Sequence, residues 1–353
     1  MLKAKIRSFA PIIATAAIFC APLLVQAATP YQSRNMHFGV SGGNVNDISS
    51  LFCCSGTLGS LLHAGTTQYI LSNNHVLARQ DQAVPGEDIS QPGLVDNNCR
   101  PATIVADFTR AVKLGNNVDC AIAQLRPGTM DSTGDIQGIG TISSVIKAPS
   151  VGLAVEKSGR TTGTTSGKIG SIHTSVNVQY QIRCGQGKTY LISYTNQVVI
   201  NSSSFSAGGD SGSLIVTNNS CHQPVALLFA GSSSTTIGNP IGEVISKLGG
   251  GLSFVGGTCS TTASPQSGEQ TAVQPFDLPQ QAVDHASMVL EQNRHDLMSR
   301  PGVLGVGLGA TEDNSAPAII VYVDQTSSAR PELPQHLDDV PVRVILTDPI
   351  IAY

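Results

Sequence analysis

Ser211 lies between glycines in Gly209-Asp210-Ser211-Gly212-Ser213, just ahead of the apolar run Leu214-Ile215-Val216. A serine hydroxyl is a poor nucleophile at neutral pH and needs an adjacent base. Glycine on either side lets the backbone bend sharply and lets an acyl group come close. In such a bend the N–H groups of Gly209 and Ser211 can point at one spot. They would form an oxyanion hole, with each donor contributing about 3–4 kcal/mol to a tetrahedral intermediate. The base is His75, where the apolar strand Tyr69-Ile70-Leu71 runs into the polar turn Ser72-Asn73-Asn74-His75. Imidazole titrates near pH 6.5, so it can take the serine proton and return it to a leaving group. Asp119 stands at the entry of the run Cys120-Ala121-Ile122-Ala123-Gln124-Leu125. A carboxylate at such a place is partly buried and needs a partner, and a histidine Nδ1–H supplies one. Taken singly, a Gly-Asp-Ser-Gly turn and a strand-capping aspartate are ordinary features. Together the three stand in the order His75, Asp119, Ser211, a set that could carry out acyl transfer. Activity is then expected to fall as pH drops through about 6–7, where the base protonates.

The elements that must hold these residues are short strands. Runs such as Thr57–Leu62, Gln68–Ser72, Thr103–Asp107, Cys120–Leu125, Lys168–Thr174, Val178–Arg183, Gln197–Ile200, Leu214–Val216 and Val225–Phe229 are separated by Gly, Ser, Asn and Asp clusters. That rhythm predicts an all-β unit over residues 36–257, a sandwich or barrels. Within it, 240–248 reads as a helix stopped by Gly249-Gly250-Gly251. A Ser/Thr/Gln/Pro-rich linker follows at 258–279. In residues 280–353 Val283, Ala286, Leu290 and Leu297 have helical spacing, ended by Pro301-Gly302. Val303–Leu308, Ala318–Val323 and Val342–Thr347 read as strands, which makes a small α+β C-terminal domain.

Composition narrows the setting. Of 353 residues only 12% are charged, about half the usual share, while 41% are hydrophobic and 36 are glycine. A packed core is affordable, and a net charge of −4 gives nucleic acid no basic footprint. Lys3, Lys5 and Arg7 precede an apolar run to Val25, and Val25-Gln26-Ala27 ends it, so 1–27 reads as a signal peptide. Its removal takes the charge near −7. A secreted or periplasmic protein is expected, with no membrane segment after cleavage. The remaining seven cysteines are an odd number, and Cys120, in its apolar run, is the candidate buried free thiol. A Cys184–Cys221 bridge and a bridge from Cys53 or Cys54 to Cys99 are both compatible with the sequence, which does not itself fix connectivity. No cysteine or histidine pair has zinc spacing, and the 86–98 loop with Glu87, Asp88 and Asp96 reads as a solvated loop rather than a calcium site. No metal and no cofactor are expected.

The segments Cys54-Ser55-Gly56-Thr57-Leu58-Gly59-Ser60-Leu61-Leu62, Leu71-Ser72-Asn73-Asn74-His75-Val76-Leu77, Asp119-Cys120-Ala121-Ile122-Ala123 and Gly209-Asp210-Ser211-Gly212-Ser213 resemble the trypsin-like, chymotrypsin-fold serine peptidases. Gly159-Arg160-Thr161-Thr162-Gly163 adds a likeness to the bacterial and plant members. The resemblance implies a chymotrypsin-like double β-barrel over 36–257 with the site in the cleft between barrels. It makes His75 the general base, Asp119 its orienter and Ser211 the nucleophile of an endopeptidase acting on protein or peptide substrates. By family position Phe205, six before the nucleophile, floors the substrate pocket, and Phe229 and Gly231 form its wall. With no acid at 205, the pocket is expected to take small or apolar P1 side chains. Val76-Leu77-Ala78 follows the histidine where relatives carry a cysteine. No Ile-Val-Gly-Gly start is present to pair with Asp210, so activity is expected without a freed amine. The alternative is a catalytically silent peptide-binding protein on the same scaffold. The C-terminal domain is read as a module that binds the peptidase domain or another protein.

Overall fold

The computed structural model describes residues 31–259, 276 and 278–353, and residues 31–353 belong to one compact unit. The signal segment and most of the linker lie outside the described residues. No helix among the described residues is long and apolar enough to cross a membrane.

The first sheet is built from β1 (Val40–Asn44), β2 (Gly56–Leu58), β3 (Ser60–Ala64), β4 (Thr67–Ser72), β5 (Asp88–Gln91), β6 (Thr103–Ala111) and β7 (Ala121–Leu125), with the short helix α1 (Asn74–Leu77) after β4. The second contains β8 (Ala154–Gly159), β9 (Gly163–Arg183), β10 (Gln186–Asn201), β11 (Leu214–Thr217), β12 (Pro224–Gly231) and β13 (Thr235–Pro240). After it, α2 (Ile241–Leu248) leads to β14 (Ser253–Phe254), which pairs back onto β3 of the first sheet. The second sheet runs β10-β13-β12-β11-β8-β9, and β9 pairs with β10, so those six strands close on themselves. This is the chymotrypsin-like double β-barrel. Closure leaves no free edge in the ring. The first barrel's core includes Leu61, Leu71, Ile122 and Phe254, and helix α2 lays Ile241, Val244 and Leu248 against it.

The runs Lys168–Thr174 and Val178–Arg183 are not two strands but parts of the 21-residue β9. Its partner β10 is 16 residues long and extends the expected strand Gln197–Ile200 back through 186–196. Beyond the barrel, the outer half of this hairpin carries the C-terminal segment. Helix α3 (Gln280–Ser299) is followed by β15 (Val303–Ala310), β16 (Pro317–Asp324), β17 (His336–Leu337), β18 (Val340–Thr347) and β19 (Ile351–Ala352). The helix and the three expected strands are there as α3, β15, β16 and β18, but they do not stand apart: β15 pairs antiparallel with β9 through Gly305–Val176, Val306–Ser175 and Leu308–Ile172. Ala286, Val289, Leu290 and Leu297 of α3 cover Val306, Leu308, Ile319 and Val321. At the far end β19 lies along the cleft, antiparallel to β12 and parallel to β9.

Three disulfides tie the loops: Cys53–Cys99, Cys54–Cys184 and Cys221–Cys259. A Cys184–Cys221 bridge is therefore corrected: Cys184 sits at the tip of the long hairpin, where Cys54 reaches it. Cys120 is free and buried, and burial pushes its thiol far above the ordinary range.

Candidate active site

His75 sits on the single turn α1, directly after β4, and Asp119 precedes β7, the neighbour of β4 in the first sheet. Adjacent strands thus deliver base and carboxylate to the same end. His75 Nδ1 is 2.6 Å from Asp119 Oδ2, and the His75 backbone N–H donates to Asp119 Oδ1 at 3.2 Å. Both groups are buried. Asp119 is gripped further. Its Oδ2 accepts from the Tyr180 hydroxyl at 2.8 Å, its amide donates to Asn239 Oδ1 at 2.9 Å, and its carbonyl accepts from Asn73 Nδ2 at 2.7 Å. Tyr180 belongs to β9 and shares a 2.7 Å hydrogen bond with Tyr194 of β10, so the long hairpin of the second barrel buttresses the carboxylate of the first. Burial and the Asp119 charge drive both tyrosine hydroxyls upward, and they stay neutral donors.

Opposing forces set the His75 titration. Burial, the largest, lowers its pKa. The charge and hydrogen bond of Asp119, with smaller help from the Tyr353 carbonyl and Asp47, raise it, and the result lies above the ordinary histidine value. Asp47 lines the same cleft, and burial lifts its carboxyl to about 6 against the pull of His75 and Arg79.

Ser211 sits in a bend before β11. Gly209 and Gly212 on either side have φ of +97° and +93°. A side chain at 212 would also overlap Ser72 Oγ and the Thr57 carbonyl. The Ser211 hydroxyl and His75 Nε2 do not bond each other. They converge on one atom, the Tyr353 carbonyl oxygen, at 3.0 Å from Oγ and 2.9 Å from Nε2. With oxygen acceptors on both ring nitrogens, the imidazolium form, which has two N–H donors, satisfies both.

The bend is anchored by Asp210, itself fully buried. Its Oδ1 accepts from the amides of Thr161 (2.7 Å) and Thr162 (3.2 Å), and its Oδ2 from Thr162 Oγ1 (2.7 Å) and the Ala207 amide (3.0 Å). The Gly159–Gly163 segment thus cradles the aspartate next to Ser211. Lys157 Nζ lies 3.6 Å from Asp210 Oδ2 with no exposure on either side, and also donates to Gly163 O at 2.8 Å. A buried lysine ammonium thus faces the carboxylate that precedes Ser211. Removing one partner of a buried pair leaves an uncompensated charge, so Lys157→Met is expected to cost about 3–5 kcal/mol in urea unfolding. A loss under 1 kcal/mol would show that the pair does not carry the bend.

The expected pocket residues divide. Phe229 offers its backbone: its carbonyl accepts from the Tyr353 amide at 3.3 Å and from Ser211 Oγ at 3.2 Å, while its ring packs in the second barrel's core. Gly231 faces the pocket; a Cβ there would stand 2.6 Å from Tyr353 Cζ. Phe205 does not line a floor in the expected way. It is fully buried in a core cluster with Ile169, Ile200 and Leu228, and Lys157 lies 5.9 Å above its ring. Its neighbour Ser206 reaches the Tyr353 hydroxyl instead. The pocket expected to take small or apolar side chains is occupied by a phenol.

Each acidic residue of the 86–98 loop has an arginine partner. Glu87 pairs with Arg79 at 2.6 Å, Asp88 with Arg126 at 2.7 Å and Asp96 with Arg160 at 2.7 Å. A surface group away from the cleft, His37, Asp131 and Asp135, brings three ligand atoms within 4.8 Å of one another. Beyond Tyr353 the cleft continues as a cavity of about 360 Å³ lined by Asp47, Cys54, Ser55, His75, Arg183 and Gly209. Sequence reasoning missed Tyr180, Lys157 and Tyr353; Ser206 belongs to the Phe205–Gly208 segment read as the pocket floor.

No protein-family model and no curated protein matches the sequence. Solved structures do. A serine protease specific for glutamic acid, which uses a histidine triad in substrate binding, is 20% identical over 62% of this chain and 98% of its own, with a TM-score of 0.45. Thermobifida fusca protease A is 18% identical over 63% of this chain and 99% of its own, with a TM-score of 0.43. Cellulomonas bogoriensis chymotrypsin is 16% identical over the same shares, 63% and 99%, also with a TM-score of 0.43.

Proposed function

We propose that the chain is a secreted serine endopeptidase that hydrolyses peptide bonds through an acyl-enzyme on Ser211. The observation that carries this reading is the convergence of His75 Nε2 and Ser211 Oγ on one oxygen, with Asp119 2.6 Å behind the imidazole. In the reaction neutral His75 takes the Ser211 proton as Oγ adds to the substrate carbonyl. The amides of Gly209 and Ser211 hold the oxyanion. Collapse breaks the C–N bond, and the imidazolium hands its proton to the leaving amine. Water then adds to the acyl-enzyme, gives its proton to His75, and the acid leaves as the serine is reprotonated. Three disulfides and the basic-then-apolar leader support export to an oxidising compartment.

Labelling tests it. An organophosphonate should modify the folded full chain once, on the peptide that contains Ser211, and His75→Ala should abolish the labelling. The same result is expected of Tyr353→Gly, in which the occupant of the cleft is cut back. A folded protein that takes no label in either form would leave the silent peptide-binding protein as the answer.

A further inference from the structure

We infer that residues 351–353 are a peptide ligand bound in cis on the acyl side of the cleft, and that they assign the primary pocket to an aromatic P1 residue, tyrosine or phenylalanine. This rests on the peptidase reading for the name of the subsite, but its geometry stands alone.

The segment runs as an added strand. Ala352 pairs with Ala230 and Ile351 with Gly231, antiparallel to β12, and the Tyr353 amide donates to the Phe229 carbonyl. Main-chain pairing of this kind gives affinity, and side-chain pockets give selection. The selection falls on one position. Ile351 is 44% exposed, whereas Tyr353 packs against the second barrel's core. Its hydroxyl donates to the Ser232 carbonyl at 3.1 Å and also bonds Ser206. The absent side chain of Gly231 makes the room. An alanine in the same place would leave the Ser232 carbonyl without the phenol's hydrogen bond and the pocket unfilled, with Ser206 keeping only its bond to Thr236, and a lysine would find no carboxylate among those partners.

The segment leading in is built to hold the strand there. Ile350 is buried, and its carbonyl accepts from the Gln179 amide at 2.9 Å. Thr347 Oγ1 bonds Ser232 Oγ at 2.6 Å and Ser234 Oγ at 3.0 Å, on the lip of the pocket. Asp348 bonds Ser233 and, at 2.7 Å, Gln325 Nε2. A ligand tethered this way competes at an effective concentration in the millimolar range.

The test uses full-length chains. Peptides of the form acetyl-Ile-Ala-X with a chromogenic amine, X being Tyr, Phe, Ala, Lys or Glu, are offered to wild type, Tyr353→Gly and Tyr353→Asp. Both variants are expected to raise kcat/KM at least tenfold, and Tyr and Phe to exceed Ala, Lys and Glu at least thirtyfold. Binding of acetyl-Ile-Ala-Tyr to Ser211→Ala/Tyr353→Gly, read by calorimetry, should exceed binding to Ser211→Ala at least tenfold. Equal rates in all three chains, or Ala preferred to Tyr, would overturn the inference. Tight Tyr-peptide binding without turnover by any Ser211-containing chain would instead sink the peptidase reading and leave the cis ligand standing.

Discussion

On the proposed acyl-transfer reading, replacing Ser211 with alanine in the Tyr353→Gly chain is expected to lower kcat on a peptide substrate by roughly a millionfold, and His75→Ala to do about the same. The two losses should not add, because on that reading base and nucleophile act as one unit: without the hydroxyl the imidazole has no proton to take, and without the imidazole the hydroxyl keeps it. The double variant should therefore be no slower than either single one. A residual acceleration of about 10³–10⁴ over water should persist from the oxyanion amides and binding alone. Stability should barely move. The Ser211 hydroxyl is buried, but it donates only toward the carbonyls of Phe229 and Tyr353, and a single neutral hydrogen bond is worth about 1 kcal/mol. The measurement is steady-state kinetics on the purified variants with urea unfolding alongside. A Ser211→Ala protein that keeps more than 1% of the rate would remove residue 211 from the chemistry.

The parts of the site that the sequence displays are those whose chemistry needs a local pattern. A nucleophile in a sharp bend needs glycines beside it, and Gly209 and Gly212 are visible as such. A base at a strand end follows an apolar run, and His75 follows Tyr69-Ile70-Leu71. Partners supplied from elsewhere in the fold leave no such trace. Tyr180 is 61 positions from Asp119 in an alternating strand, where a tyrosine facing a carboxylate looks like one facing lipid-free core. Lys157 lies 53 positions before Asp210, in a strand whose lysine would ordinarily be solvated; only closure of β8 against β11 buries it. The long hairpin looks like separate short runs in the sequence because polar side chains interrupt the apolar pattern along its outer half. The position six before Ser211 is Phe205, whose ring turns into the core, while Ser206, the next residue of the segment read as the floor, bonds the Tyr353 hydroxyl. The last strand is two residues long, and its partners on β12 lie over 110 positions away, beyond the reach of any periodicity.

Asp119→Asn should lower kcat by about 10⁴ and, in the same protein, move the acid limb of kcat/KM to lower pH. The amide keeps the shape but presents the wrong hydrogen-bonding face to Nδ1, so the imidazole is no longer held in the tautomer that leaves Nε2 free to accept. The pH shift has a separate cause. Burial, the largest influence on His75, lowers its pKa, and the Asp119 charge and hydrogen bond reverse that. Removing the charge leaves burial opposed only by the Tyr353 hydrogen bond and Asp47, and the pKa should fall. Wild type should therefore lose activity as pH falls through a value above 6.5, and the variant only at lower pH, from a much lower plateau. Stability carries the opposite sign. A folded-state pKa above the unfolded one contributes stability that is fully present below the unfolded pKa and is lost as pH rises through the folded pKa. That dependence should flatten in Asp119→Asn. Tyr180→Phe separates the two roles of the carboxylate's neighbours: it removes the 2.8 Å donor to Asp119 without touching the charge. It should cost far less rate than Asp119→Asn and leave the acid limb above 6.5. An acid limb that stays fixed or rises in Asp119→Asn would show that this carboxylate does not set the charge state of the base.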